Sequence, residues 1–325
     1  MAHEMTENDS AVYYKERAWH GLGNVVERSM SVMDAYDKSG LNWEVEKSEG
    51  INVISDNMLY TNEYRGIVRT DTQEVLGIVS PQYQVVQNHE VFDLAQYFSS
   101  VATVESAGSV QGGRKNYLLL HSDSFEATDN DPMERYMALI WGHDGASSLI
   151  VKPTAIRVVC KNTMDMVLGS KTTGLTIKHN GNIEEKMADA RLIISQYRET
   201  GNLFQREVQH LARKPLSVDG LRQFFFRAYE QFWNDIPTNP ETSKEENAYE
   251  QACRTILNWE NTFESETVDI APSPWVAVNA VTNYIQHNIS KRGRKATEES
   301  KAFSRLNGPH AKKTSDIMQM ALSTF

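Results

Sequence analysis

The apolar period of this chain changes once, and that change limits the fold more than any motif does. Before about residue 180 the apolar residues come in short runs or alternate, as with Leu41, Trp43 and Val45 against Asn42, Glu44 and Glu46. Alternation at period 2 marks a half-buried strand. After Gly181 they recur at helical spacing through 184–213, 217–232, 243–257, 275–287 and 312–322, which is the pattern of amphipathic helices. The chain therefore reads as α+β: an antiparallel, β-rich amino-terminal half with packed helices, then a helical carboxy-terminal half. We divide it into an α+β domain at 1–180, a helical domain at 181–288, and a basic segment with a terminal helix at 289–325.

Local signals place the elements. Ser31, with Asp34 three residues on and Gly40 as a stop, predicts a helix over 31–39. Residues 64–70 and 75–79 form a hairpin around Asp71-Thr72-Gln73-Glu74, and Asn88 caps a helix that runs to about 99. The runs 115–121, 135–141 and 147–152 predict three strands, with turn chemistry at 124–132 and 143–145. Pro153 suits the first position of a helix. Ile156, Val159, Cys160, Thr163 and Val167 share a helical face, so a helix is expected from 153 to Gly169. The β-branched run at 156–159 could instead continue the strand. Gly201 is the expected break in 184–213; Ser217, Ser243-x-x-Glu246 and Ser273-Pro274 open the next three helices.

Catalytic signatures are scarce. The chain holds no P-loop, no dinucleotide fingerprint, no HExxH and no GxSxG, so no cofactor and no enzymatic reaction is expected. The two cysteines, Cys160 and Cys253, have no metal-ligand spacing and suit a reducing compartment. No secretory h-region and no apolar run of about 18 residues is present, so we expect a cytoplasmic protein without membrane contact. The turn between Gly108 and Lys115 is glycine-rich and phosphate-friendly, but it lacks the P-loop spacing and more simply leads into a strand.

Charge is unevenly placed. The whole chain carries 33 basic against 43 acidic residues, a net of −10. Between 291 and 313, eight basic residues face only Glu298 and Glu299, a net of +6, which leaves −16 for the rest. A polyanion is thereby confined to the tail and to the surroundings of Arg157.

Five ordered stretches carry a family resemblance: WHGLG at 19–23, LNWEV at 41–45, LGIVSPQYQVVQN at 76–88, RVVCKNT at 157–163 and WVAVNAVTNY at 275–284. Together they resemble the phage/plasmid-like family of unknown function, borne on bacteriophages, plasmids and prophage islands. The resemblance spans nearly the whole chain. It implies a bacterial host cell and work on mobile DNA, and no reaction.

The leading expectation is a DNA-transaction protein that binds, and anneals, single-stranded DNA in phage or plasmid recombination or replication, as a homo-oligomer. The order of strands and helix resembles that of phage annealing proteins, by analogy only. Arg114, Lys115, Lys152, Arg157, Lys161, Asn162, Lys291, Arg292, Arg294 and Lys295 are the candidate nucleic-acid contacts. Tyr117, Tyr136 and Trp141 on strands could stack bases, though such aromatics are more often core. Asn279, Thr282 and His287 form a polar stripe that more often means buried hydrogen bonds between helices. The alternative is a non-catalytic interaction protein whose acidic body acts on a host factor.

Overall fold

The structure is a computed structural model that describes residues 8–15, 23–157, 162–165, 167–168, 171–172, 174–179, 183–288 and 309–325. Strands β1 (Ala11–Tyr14) and β2 (Asn24–Val26) come first, then helix α1 (Val32–Lys38). Strands β3 (Val45–Lys47), β4 (Ile51–Ser55), β5 (Met58–Asn62), β6 (Arg65–Arg69) and β7 (Val75–Val79) precede helix α2 (Asn88–Ala95). Next come β8 (Thr103–Val110), β9 (Lys115–Glu126), β10 (Pro132–Gly142), β11 (Leu149–Arg157), β12 (Asn162–Asp165), β13 (Val167–Leu168), β14 (Lys171–Thr172) and β15 (Leu175–Ile177). Helices α3 (Ile183–Arg213), α4 (Val218–Phe232), α5 (Ser243–Glu266), α6 (Pro274–Asn283) and α7 (Pro309–Thr324) complete the chain. The α+β reading holds, with strands in the first half and helices in the second.

The central sheet runs β12-β11-β10-β9-β8-β1-β2, with β15 also paired to β11. Its pairs are antiparallel except β1 with β2. A second sheet, β3-β6-β7, and the separate hairpin β4-β5 stand beside it. One face of the central sheet is core: Ala107, Leu118, Leu120, Met137, Leu139 and Trp141 are buried there in one cluster with the helices. Phe92 of α2 meets Trp141 edge-on at 6.1 Å. From α3, Tyr197 meets Phe98 and Phe204 meets Phe125. Burying each such side chain contributes roughly 1.5–3 kcal/mol. The same core cluster continues into Phe224, Phe225, Trp259 and Trp275 of the helical half.

Sequence and structure agree on most elements and part at four places. The described residues of the span 153–169 form strands and not the expected helix: β11 runs on to Arg157, and β12 returns antiparallel with Arg157 opposite Asn162, while 158–161, 166 and 169 lie outside the described residues. Periodicity misled because β-branched residues over 156–159 fit a strand equally well. Pro153 is tolerated because of where it falls on that edge of β11. Val151 is the last residue paired to β15 and Thr154 the first paired to β12, so the missing donor lies between two ladders.

Gly201 does not break α3, which is continuous. A β-carbon there would come within 2.8 Å of Arg135 Nη1, so the glycine admits a close neighbour. Asn88 is not the cap of α2; Gln87 is, and Asn88 is buried. The box opening α5 lies one residue earlier, on Thr242 and Glu245. The Ser31–Asp34 box and the Ser217 and Ser273 caps stand as read.

Candidate functional site

Alternation along β9 and β10 sorts their side chains onto two faces. Leu118, Leu120, Leu139 and Trp141 point to the helices. Lys115, Tyr117, Leu119 and His121 occupy the opposite positions on β9, paired with Gly142, Ile140, Ala138 and Tyr136 on β10. Tyr13 joins this outer face through Ser106, and Lys152 joins it through Ala138. Tyr13, Lys115, Tyr117, Leu119 and His121 are half-buried, whereas Tyr136 and Lys152 are buried. The outer face thus has an open side on β1 and β9 and a closed side on β10 and β11.

Two register shifts shape the open side. One lies between Val104 and Ser106, so Glu105 is the extra residue; the other sets Arg135 opposite Asp123 but Tyr136 opposite His121, so Ser122 is extra. Such bulges re-aim side chains. Ser122 Oγ lies 2.6 Å from the Tyr197 hydroxyl on the helix side. His121 Nε2 pairs with a Glu134 carboxylate oxygen. The His121 ring meets Tyr136 at 5.2 Å, edge to face. The Tyr13 and Tyr117 hydroxyls are 3.1 Å apart. Burial, then the nearby Glu105 and Glu134 charges, push the Tyr136 phenol well above its ordinary range, so it stays protonated. The site offers flat rings at half burial, a lysine at one end and two carboxylates at the other.

The candidate residues separate in this frame. Lys115 and Lys152 share the outer face, although Lys152 is buried with its stem 3.3 Å from where a β-carbon on Gly174 would sit. Arg114 is exposed in the turn after β8. Arg157 ends β11 opposite Met133, and Asn162 opens β12, on strands and not on the expected helix. Lys161, Lys291, Arg292, Arg294 and Lys295 lie outside the described residues, as do Trp19, His20, Gly21 and Leu22. Of the aromatics weighed, Tyr117 and Tyr136 face outward, while Trp141 is core and donates from Nε1 to Asn88 Oδ1 at 2.8 Å. Asn279 donates to Trp275 O and Thr282 to Asn279 O within buried α6. These two residues take the ordinary structural role.

The glycine turn does hold an anion, but one from the chain itself. The amides of Gly112 and Gly113 donate to the Asp9 carboxylate at 2.7 and 2.9 Å, and Ser109 Oγ donates at 2.8 Å. Gln111, Gly112 and Gly113 all have positive φ, at 60°, 72° and 91°, which turns successive N–H groups inward as an anion nest.

The sequence reading missed Tyr13, the His121–Glu134 pair and a buried hub. At the hub, Asn88 Nδ2 donates to Leu41 O and Trp43 O, while Oδ1 accepts from Trp141 and lies 3.0 Å from His143 Nε2. Parity along β9 marked His121 as a companion of Tyr117; the sequence marked Asn88 only as a helix cap, and nothing in it pointed to a buried hub. Among the described residues no cluster of three or more His, Cys, Asp or Glu could hold a metal ion, and no helix is long and apolar enough to cross a membrane.

No curated protein and no solved structure matches the chain. A family model does: the domain of unknown function DUF932 matches residues 75–307. That stretch begins at β7, takes in β8–β11 and runs through α6, so it contains most of the outer face and its helical backing. The chain belongs to the DUF932 family.

Proposed function

We propose that this chain is a DNA-transaction protein of a mobile element, phage or plasmid, that binds single-stranded DNA on the outer face of its central sheet. The observation that carries this reading is the row Tyr13, Tyr117 and Lys115 on one open face. A tyrosine ring stacks on any base, and a lysine beside it reaches a phosphate; stacking contributes about 1–3 kcal/mol per base. The bulges at Glu105 and Ser122 bend β8 and β9 locally beside that face. Annealing follows if two strands are held with their base edges outward.

Fluorescence anisotropy with a labelled single-stranded oligonucleotide tests it. Tyr117→Ala is expected to weaken binding by about 5- to 150-fold, the span of one lost stack. Wild-type protein that binds no oligonucleotide at low salt, or a Tyr117→Ala variant that binds as tightly as wild type, overturns the reading.

A second reading rests on Glu105 and Glu134, which lie near Tyr136 on the same face. Carboxylates there favour a basic host protein over a polyanion. In that case Glu105→Gln with Glu134→Gln weakens capture of the partner and Tyr117→Ala leaves oligonucleotide titrations flat.

A further inference from the structure

Strands β3 and β6 are the inner half of a longer ribbon. Lys47 pairs with Ile67, and after a short break Ile51 pairs with Asn62 in β4-β5, one residue out of step. The outer half turns at Asp56-Asn57, both at positive φ of 51° and 60°, the geometry of a tight two-residue hairpin. Among the described residues β4 and β5 pair only with each other. Five residues of strand reach about 17 Å beyond the sheet.

This arm carries exposed apolar side chains on both sides, beside the polar pair Asn52–Thr61 and the residues Ser55 and Asn62. Ile54 pairs with Leu59 on one face, while Met58 and Tyr60 lie on the other. Ile54 is 76% exposed, Leu59 63%, Met58 56% and Tyr60 51%. Strands apolar on both faces belong inside a protein, and a lone two-stranded hairpin is marginal in water. At the base of the arm a second apolar surface is open. Ile78 pairs with Gly66, Tyr64 precedes Gly66 by two residues, and Val75 reaches within 3.6 Å of where a β-carbon on Gly66 would be. With glycine at its centre, the outer face of β6-β7 is a shallow apolar dish.

The geometry points to a second copy of this chain as the occupant: the arm of each copy lies in the Tyr64–Val75–Ile78 dish of the other. Charge excludes polyanionic occupants, and the apolar area of arm and dish suits a second copy. Residues 48–64 contain Glu49, Asp56 and Glu63 and no Lys or Arg, so neither a nucleic acid nor an anionic membrane is attracted there. The seven apolar residues of arm and dish are each 50–76% exposed, a surface to set against the roughly 800 Å² that each partner gives to a standard interface. Arm into dish is satisfied reciprocally by one two-fold axis, which closes the assembly at two copies. The inference is independent of the DNA reading, since neither the arm nor the dish is part of the central sheet.

Sedimentation velocity of the full chain without nucleic acid, over about two decades of loading concentration, tests it. Wild type is expected to shift from one-copy to two-copy mass. Ile54→Lys with Leu59→Lys is expected to raise the dissociation constant at least about tenfold, with an unchanged far-ultraviolet spectrum because neither side chain is buried. Should that variant fail to fold, Val75→Ser with Ile78→Ser on the dish gives the same loss from the other side. Wild type that stays one copy throughout, or a two-copy species that both variants leave intact, overturns the proposal. So does one-copy wild type that floats with phosphatidylcholine vesicles through the same arm residues.

Discussion

His143 is buried with only its Nε2 accounted for by Asn88. The Asn88 amide nitrogen already donates to Leu41 O and Trp43 O, so its oxygen is the acceptor and His143 Nε2 must donate. Nε2 therefore carries a proton, and burial of the ring disfavours a second one. Burial first, then the facing His179, pull its pKa down to about 3, against an opposing effect of Asp144. The unfolded chain protonates this histidine near pH 6.5, so below that value it binds one proton more than the folded chain does. Stability is then full above about pH 6.5 and falls as pH drops toward 3, by up to about 1.4 kcal/mol per pH unit from this group. Urea midpoints measured from pH 7.5 to pH 5 should decline for wild type. His143→Gln, which keeps a donor toward Asn88 but does not titrate, should start lower and decline less. Parallel slopes would place the pH dependence elsewhere.

At the scale of elements, the first half was legible wherever alternation was clean. Leu41, Trp43 and Val45 are buried and Asn42, Glu44 and Glu46 exposed, as the pattern dictated. The pattern failed at 153–169 because three- and four-residue spacing of apolar groups arises by chance in a β-branched run, and only the pairing with β10 and β12 decides. It failed at Gly201 for another reason: a glycine in a helix looks the same whether it breaks the helix or admits a neighbour. Here the neighbour is Arg135, buried, paired to Asp123 and lying 5.3 Å over Phe125. Gly to Ala in an exposed helix gains about 1 kcal/mol. Gly201→Ala is expected to reverse that sign and destabilise by about 1 kcal/mol, since the guanidinium is held from two sides and cannot yield. Pairing it with Arg135→Met should recover most of the helix gain relative to Arg135→Met alone. An additive double-mutant cycle would show that the two residues do not meet. The site itself was half legible: Tyr117, Tyr136 and Lys115 were readable from strand parity, but Tyr13 is brought to them by a pairing of β1 with β8 across about a hundred residues, which no local pattern encodes.

The whole molecule is a negative body with a positive stretch near its end, and the structure refines how much of that stretch can face a polyanion. Lys313 lies on α7, donates to Phe232 O at 2.8 Å and sits 4.4 Å over the Trp233 ring. Burial lowers its pKa. It belongs to the packing of the helical half, so the cationic reach rests on 291–305 and on the exposed Lys312. On the sheet, Lys115 offers about one phosphate contact, because Lys152 is buried. For a single strand the slope of log affinity against log salt is about −0.7 per phosphate neutralised. Binding by the sheet face alone then gives a slope of about −0.7, whereas the joint use of Lys291, Arg292, Arg294 and Lys295 adds about −3. The full proposal therefore expects a steep wild-type slope that becomes shallower by about 2–3 when those four residues are replaced by Gln, while Tyr117→Ala lowers affinity at every salt concentration without changing the slope. A titration series at four or more salt concentrations separates the two effects. If the Gln replacements leave the slope unchanged, the positive stretch takes no part in binding, and a body this acidic would be left to attract a single strand through stacking alone.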